Sequence, residues 1–175
     1  MKQHIEYAPQ RTVDMVRLGE LASEMQRQYA DAYREAIEPL YGDQSYNIER
    51  LLRGDDRETH ILMVDGEMMG TLIYKKALQD EYGARQAFEI KTLCLFNESQ
   101  NSGRGYAAQL LDVAEQAAMK LGAQSMFVTI AEDRPQVIDF FQKHGFVCSV
   151  RLPERHRQSV DELVYIKQVD MSEAV

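Results

Sequence analysis

The chain has 175 residues and a mass of 20.1 kDa, with 45% apolar residues, which suits a single domain (1–175) with its own core. Its 20 basic and 28 acidic residues leave a net charge of −8 and a pI near 5.0, which counts against a nucleic-acid surface and mildly favours a cationic partner. No apolar run approaches ~18 residues, so no membrane-spanning helix is expected, and Met1–Glu6 lacks the apolar centre of a signal peptide, so a cytoplasmic location is expected.

In chain order, His4–Tyr7 reads as a short strand. Val16, Leu21, Met25 and Tyr29, then Ala32, Tyr33 and Ala36, predict a helix from about Val13 to Ala36, with Pro39 and Gly42 as breakers. Tyr46–Leu52 reads as a shorter helix. His60–Val64 and Met68–Tyr74 flank Asp65-Gly66, the pattern of a tight hairpin. Gln79–Ala84 is polar and loop-like. Phe88–Phe96 alternates and then becomes continuously apolar, as a buried strand does. Ala107, Leu110, Leu111, Ala114, Ala118 and Leu121 follow at helical spacing, ended by Gly122. Ser125–Ile130 is a second buried strand. Pro135 opens another helix, with Val137, Ile138, Phe140 and Phe141 on its apolar side and Gly145 as its stop. Val147–Leu152 and Glu162–Val169 close the chain as two strands around a polar loop, Pro153–Asp161. The order is α+β-like early and βαβ-like late, which predicts a mixed α/β fold with a mixed sheet.

The run Gln100-Asn101-Ser102-Gly103-Arg104-Gly105, between the strand and the long helix, is the most informative segment. A glycine turn that opens a helix presents backbone N–H groups and the positive end of the helix dipole to an anion. Glycine also lets the backbone approach a phosphate closely. Gly103-x-Gly105-x-x-Ala108 fits the dinucleotide fingerprint as well, but Asn97–Gln100 intervene between strand and glycine, which disfavours it. Cys94 and Cys148 lie in apolar segments and are expected as buried, reduced thiols. The histidines His4, His60, His144 and His156 are scattered, and no metal-ligand spacing occurs, so no metal is expected.

With these elements placed, Phe88–Val169 resembles the GNAT superfamily of acetyl-CoA-dependent N-acetyltransferases. Gln100-x-x-Gly103-x-Gly105 matches that family's pyrophosphate loop, and Phe140-Phe141-Gln142-Lys143-His144-Gly145-Phe146 its later aromatic-pair and Gly-Phe motif. The resemblance implies a GNAT-like fold with a mixed, mostly antiparallel central sheet flanked by helices. It implies acetyl-CoA as co-substrate and transfer of its acetyl group directly to a primary amine of a small molecule or protein. Carried over, Gln100, Asn101, Ser102, Gly103, Arg104, Gly105 and Tyr106 hold the diphosphate. Leu93 and Leu95 pair through their main chain with the pantetheine arm, a form of strand addition, and the Leu95 N–H polarises the thioester carbonyl. Phe141 packs against the coenzyme.

An alkylammonium with pKa ~10 must lose a proton before it attacks. Glu89 stands where many family members place the carboxylate that takes it, and partial burial would raise its pKa. Glu132 and Asp133 are fallbacks. The family's thiolate-protonating tyrosine is Phe141 here and its motif asparagine is Arg134, so no acid occupies that place; Tyr106 and Cys94 are substitutes. The first helices line the family's acceptor pocket, which points to Tyr29, Asp31, Tyr33, Glu35, Glu38 and Tyr41. The basic loop Arg151–Arg157 reads as surface or as a contact for an anion. Two alternatives stay open: a coenzyme-A-binding sensor with little catalysis, and a toxin-like acetyltransferase of aminoacyl-tRNA, against which the acidic charge counts. A homodimer is the family's usual assembly.

Overall fold

The computed structural model describes residues 11–97, 103–170 and 172. The expected His4–Tyr7 strand and the site positions Gln100, Asn101 and Ser102 lie outside them. The hairpin is the simplest element to derive. Asp65 and Gly66 adopt positive φ of 51° and 81°, as a two-residue hairpin turn requires. They join strands β2 (Arg57–Val64) and β3 (Glu67–Lys75).

Upstream, the first turns of the expected helix are instead a strand. β1 (Val13–Arg17) pairs antiparallel with β2, from Val13 opposite Val64 to Arg17 opposite His60. Val16 and Leu21 are five residues apart, a gap no helical face bridges, and the free edge of β2 captures the segment. A short 3-10 turn, Leu18–Glu20, leads into helix α1 (Ser23–Tyr41). α1 runs through Pro39, where the expected break does not occur. So near the helix end proline removes little pairing, and Gly42 stops the helix with φ 77°. Helix α2 (Ser45–Arg53) follows.

β4 (Gln79–Glu81) is a short strand where a loop was expected, and it pairs with the start of β5 (Ala84–Leu95). Then come α3 (Tyr106–Lys120), β6 (Ser125–Ala131), α4 (Pro135–Lys143), β7 (Val147–Arg157) and β8 (Val160–Gln168). β7 and β8 extend through most of the expected loop, to Arg157 opposite Val160. Pro153 fits within β7 because β7 is an edge strand. The same edge position leaves Cys148 exposed, contrary to the buried thiol expected, while Cys94 is partly buried.

The sheet order is β1-β2-β3-β5-β6-β8-β7, with β4 beside β5. Among the described strands, only β5 and β6 pair in parallel. α3 and α4 cover one face, where Leu72, Phe88, Ile90, Leu110, Phe141 and Phe146 form the main core. α1 and α2 cover the other, around Tyr29, Tyr33, Ile48, Ile61 and Ile73. The buried Tyr29 hydroxyl meets the Thr71 hydroxyl at 2.9 Å, and Thr71 donates to the His60 carbonyl at 2.9 Å, so this polar pair is satisfied. No helix of the described residues is long and apolar enough to cross a membrane.

α3 rests on β3 and β5 at a point that tolerates no side chain. A Cβ at Gly70 would stand 2.8 Å from the Cys94 carbonyl oxygen and 3.0 Å from Leu110 and Leu95 side-chain carbons. We expect Gly70→Ala to destabilise the fold by about 1–3 kcal/mol, the usual cost of overpacking, read from urea unfolding. Unchanged stability would show that helix and sheet separate easily here.

Candidate active site

The site begins where two strands part. β5 and β6 pair only from Ala87 opposite Ser125 to Ile90 opposite Val128, yet β5 runs on to Leu95 and β6 to Ala131. The cause lies on the far edge of β5. There Ile73 faces Thr92 but Tyr74 faces Ile90, so Lys91 is an extra, bulged residue. A bulge bends its strand and increases local twist, and this one sits at the last paired position. The parted strands open a cleft of about 900 Å³, lined by Arg134, Val137 and Phe141 at α4 on one face of the sheet and by α1 on the other.

The β5 edge in that gap has a defined polarity. Phe96 donates its N–H to Met69 on the β3 side at 2.8 Å. Alternation along a strand then turns Thr92 and Cys94 toward β3, and the main-chain groups of Leu93 and Leu95 toward the gap. Both residues line the cleft. Before α3, Gly103 and Gly105 adopt φ of 77° and 78°. Gly105 is the N-cap of α3, and no described side chain caps it. The first N–H groups of α3 therefore have no intrahelical acceptor. Arg104 is exposed, whereas Tyr106 is buried and its hydroxyl accepts a hydrogen bond from Arg11 at 3.3 Å. Tyr106 is thus anchored in the core as a side chain.

The opposite face of the cleft carries the ionisable groups. Glu89 is buried there as expected, but its pKa is not raised. Burial pushes it up, and two lysines more than offset this, leaving it below the ordinary glutamate value. Lys91 Nζ donates to Oε1 at 3.0 Å, and Lys75 Nζ lies 2.8 Å from Oε2. Glu132 and Asp133 are also held low. Glu132 accepts from the Asp161 N–H at 3.0 Å and from Arg151 at 2.6 Å. Asp133 takes both Arg157 nitrogens, at 2.7 and 3.0 Å. The basic residues at positions 151–157 are thereby used by the chain's own groups, Arg155 bonding the Tyr82 hydroxyl.

The family model for the acetyltransferase (GNAT) family matches residues 20–146. The chain belongs to the GNAT family. No curated protein matches it significantly. Among solved structures, a protein of Desulfovibrio desulfuricans assigned to the GNAT family superposes with a TM-score of 0.72 at 13% identity, over 91% of this chain and 100% of that one. An aminoglycoside 6′-N-acetyltransferase complexed with coenzyme A gives 0.71 at 13% identity, over 90% and 97%. NAA60 of Arabidopsis thaliana, in complex with a bisubstrate analogue, gives 0.70 at 14%, over 92% and 100%. At these identities the neighbours speak to the fold, the mixed, mostly antiparallel GNAT sheet expected from sequence.

Within this GNAT domain, Phe141 and Arg134 line the cleft, so an apolar ring and a cation occupy the places of the family's polar pair. Of the six expected acceptor residues, Tyr33, Glu35 and Tyr41 line it. Tyr29 is buried against Thr71 instead, and Asp31 and Glu38 pair with Arg34 at 3.4 and 3.8 Å. Glu162, His156 and Arg57 line it too; sequence reasoning passed over Glu162 and Arg57 and read His156 only as part of the basic loop 151–157. Glu162 carried a weak signal, an acid beside the apolar run Leu163–Tyr165. Among the described residues no cluster of His, Cys, Asp or Glu could hold a metal ion.

Because two lysines hold Glu89 ionised, removing them should let burial act alone. In the Lys75→Met/Lys91→Met variant the Glu89 carboxyl is expected to titrate above the ordinary ~4.3. Carbon-13 NMR of labelled glutamate reads this directly. An unmoved resonance would show that the lysines do not set its charge.

Proposed function

We propose that this protein transfers the acetyl group of acetyl-CoA directly to a primary amine in a ternary complex. The observation that carries the reading is the parted β5–β6 pair, with Leu93 and Leu95 turned into the gap; the uncapped N-terminus of α3, the helix that follows β5, supports it. The diphosphate would lie on the α3 N-terminus, held by N–H groups of the 100–106 turn, with Gln100, Asn101, Ser102 and Arg104 beside Gly103, Gly105 and the Tyr106 amide. The pantetheine arm would add as a strand to Leu93 and Leu95. The Leu95 N–H would then meet the thioester oxygen as charge develops on it, and Phe141 would pack against the coenzyme. Entering from the α3 face, the arm delivers the thioester to the α1 face, where Tyr33, Tyr41 and the carboxylates stand.

Support for an amine acceptor comes from two sources. The α1 face combines carboxylates with aromatic rings, which suits an alkylammonium. Among the fold neighbours, one is named for acetylating an aminoglycoside nitrogen. The released thiolate needs no dedicated acid, since a thiol of pKa ~8.5 takes its proton from water near neutrality. Phe141 in the tyrosine position favours one second reading, a coenzyme-A-binding module without efficient turnover.

Isothermal titration with acetyl-CoA tests the proposal. Wild type is expected to bind. Gly103→Glu and Gly105→Glu are expected to lose at least about tenfold in affinity, because a side chain at positive φ costs roughly 1–2 kcal/mol and its charge repels the diphosphate. Wild type that does not bind removes the reading. Binding without thiol release across a panel of amines would leave the sensor.

A further inference from the structure

Two of the carboxylates that line the cleft are buried, and they differ in one respect. Glu89 is clamped by Lys75 and Lys91. Glu162 is 2% exposed, lines the same cleft, and its side chain makes no hydrogen bond or ion pair with any described residue. It stands on β8 opposite Ala131, at the end of β6, within the stretch that has left β5. A buried carboxyl without a partner costs stability and calls for a reason.

The groups around it are few. Tyr41 faces it from α1, Arg155 and Arg157 from β7, and Asp133 from the turn before α4. The nearby cations are committed elsewhere: Arg157 grips Asp133 and covers the Tyr41 ring at 5.8 Å, and Arg155 bonds Tyr82. His156 also lines the cleft, and burial together with Arg155 and Lys91 holds its pKa below the ordinary value. Burial outweighs the arginines at Glu162 and raises its carboxyl above the ordinary glutamate value. That moves it toward the pH at which a proton acceptor works well.

We infer that Glu162 is the carboxylate that receives the acceptor's ammonium group and takes its proton, so that the substrate enters the α1 side of the cleft as an alkylammonium cation. The inference rests on the acetyl-transfer reading above. The balance is complete without another reagent. The ammonium gives one proton to the Glu162 carboxylate. The freed nitrogen pair forms the C–N bond at the thioester carbonyl, and the C–S bond breaks with its electron pair on sulfur. The new amide nitrogen loses its second proton, thiolate gains one from water, and Glu162 returns its own to solvent.

The pH profile separates this from a structural role. In wild type, kcat/KM is expected to rise with pH as Glu162 ionises and then hold level until the amine itself deprotonates. In Glu162→Gln only free amine reacts, so log kcat/KM should climb with a slope of one up to the amine pKa, with a loss of at least tenfold at neutral pH. Glycinamide and n-butylamine, whose ammonium pKa values differ, serve as probes with thiol release as readout. The level region of wild type should begin at the same pH for both. An onset that moves with the amine, or a Glu162→Gln variant that keeps the level region, overturns the inference. So does a wild type that binds acetyl-CoA yet acetylates neither probe. Failure of wild type to bind acetyl-CoA instead removes the transfer reading. Glu162→Gln should bind acetyl-CoA as wild type does and melt no lower at neutral pH, since it removes a buried charge. If that variant does not fold, the two-amine comparison on wild type decides alone.

Discussion

One main-chain constraint organises this molecule: β5 and β6 pair as far as Ile90 and Val128 and no further. The extra residue at Lys91 bends β5 away while β3 continues to hold it from the other side. Strand edges with unpaired amides are normally a hazard. Here the unpaired edge lies inside the domain, between helices on both faces, and lines the cleft. Gly70 keeps α3 close against the β3 and β5 backbone, which fixes the helix N-terminus relative to that edge. The parted strand edge and the start of α3 are thus placed by one bulge and one missing side chain.

The same bulge sorts the charges. Lys91 and Glu89 fall on one side of β5, where Lys75 joins them. The two lysines hold the carboxylate nearest the parting point as an anion, while Glu162, across the gap, makes no ion pair with a described residue and feels Arg157 and Arg155 only at longer range. In a low-dielectric cleft such a difference separates two chemically identical groups: one is fixed as an anion, the other is poised to change state. Chain position alone favoured Glu89, and the environment reverses the ranking.

Most of the architecture could be read from the chain because local signals agreed with the global fold. Asp65-Gly66 set its hairpin, and the apolar periods of α3 and α4 and the runs of β5 and β6 located the core. The misses share a cause. Val13–Arg17 has no strand pattern of its own and becomes one only because β2 offers an edge. Residues 153–161 are polar enough for a loop, yet a sheet edge with one solvent face accepts them as strand. Motif order picked out Leu93 and Leu95, and both line the cleft. It did not pick out Glu162, because its significance depends on partners it lacks, and a missing contact leaves no trace in a linear sequence.

The β7–β8 hairpin ends over the tip of α1, where Arg157 spans the Asp133 carboxylate and the Tyr41 ring and His156 meets that ring edge-on. These fastenings are largely ionic and partly solvent-exposed, unlike the oily contacts that hold α3 and α4. Dissolved salt weakens the former and strengthens or spares the latter. This rim of the cleft is therefore sprung more softly than the side packed on α4, and its stiffness follows the ionic strength of the surroundings.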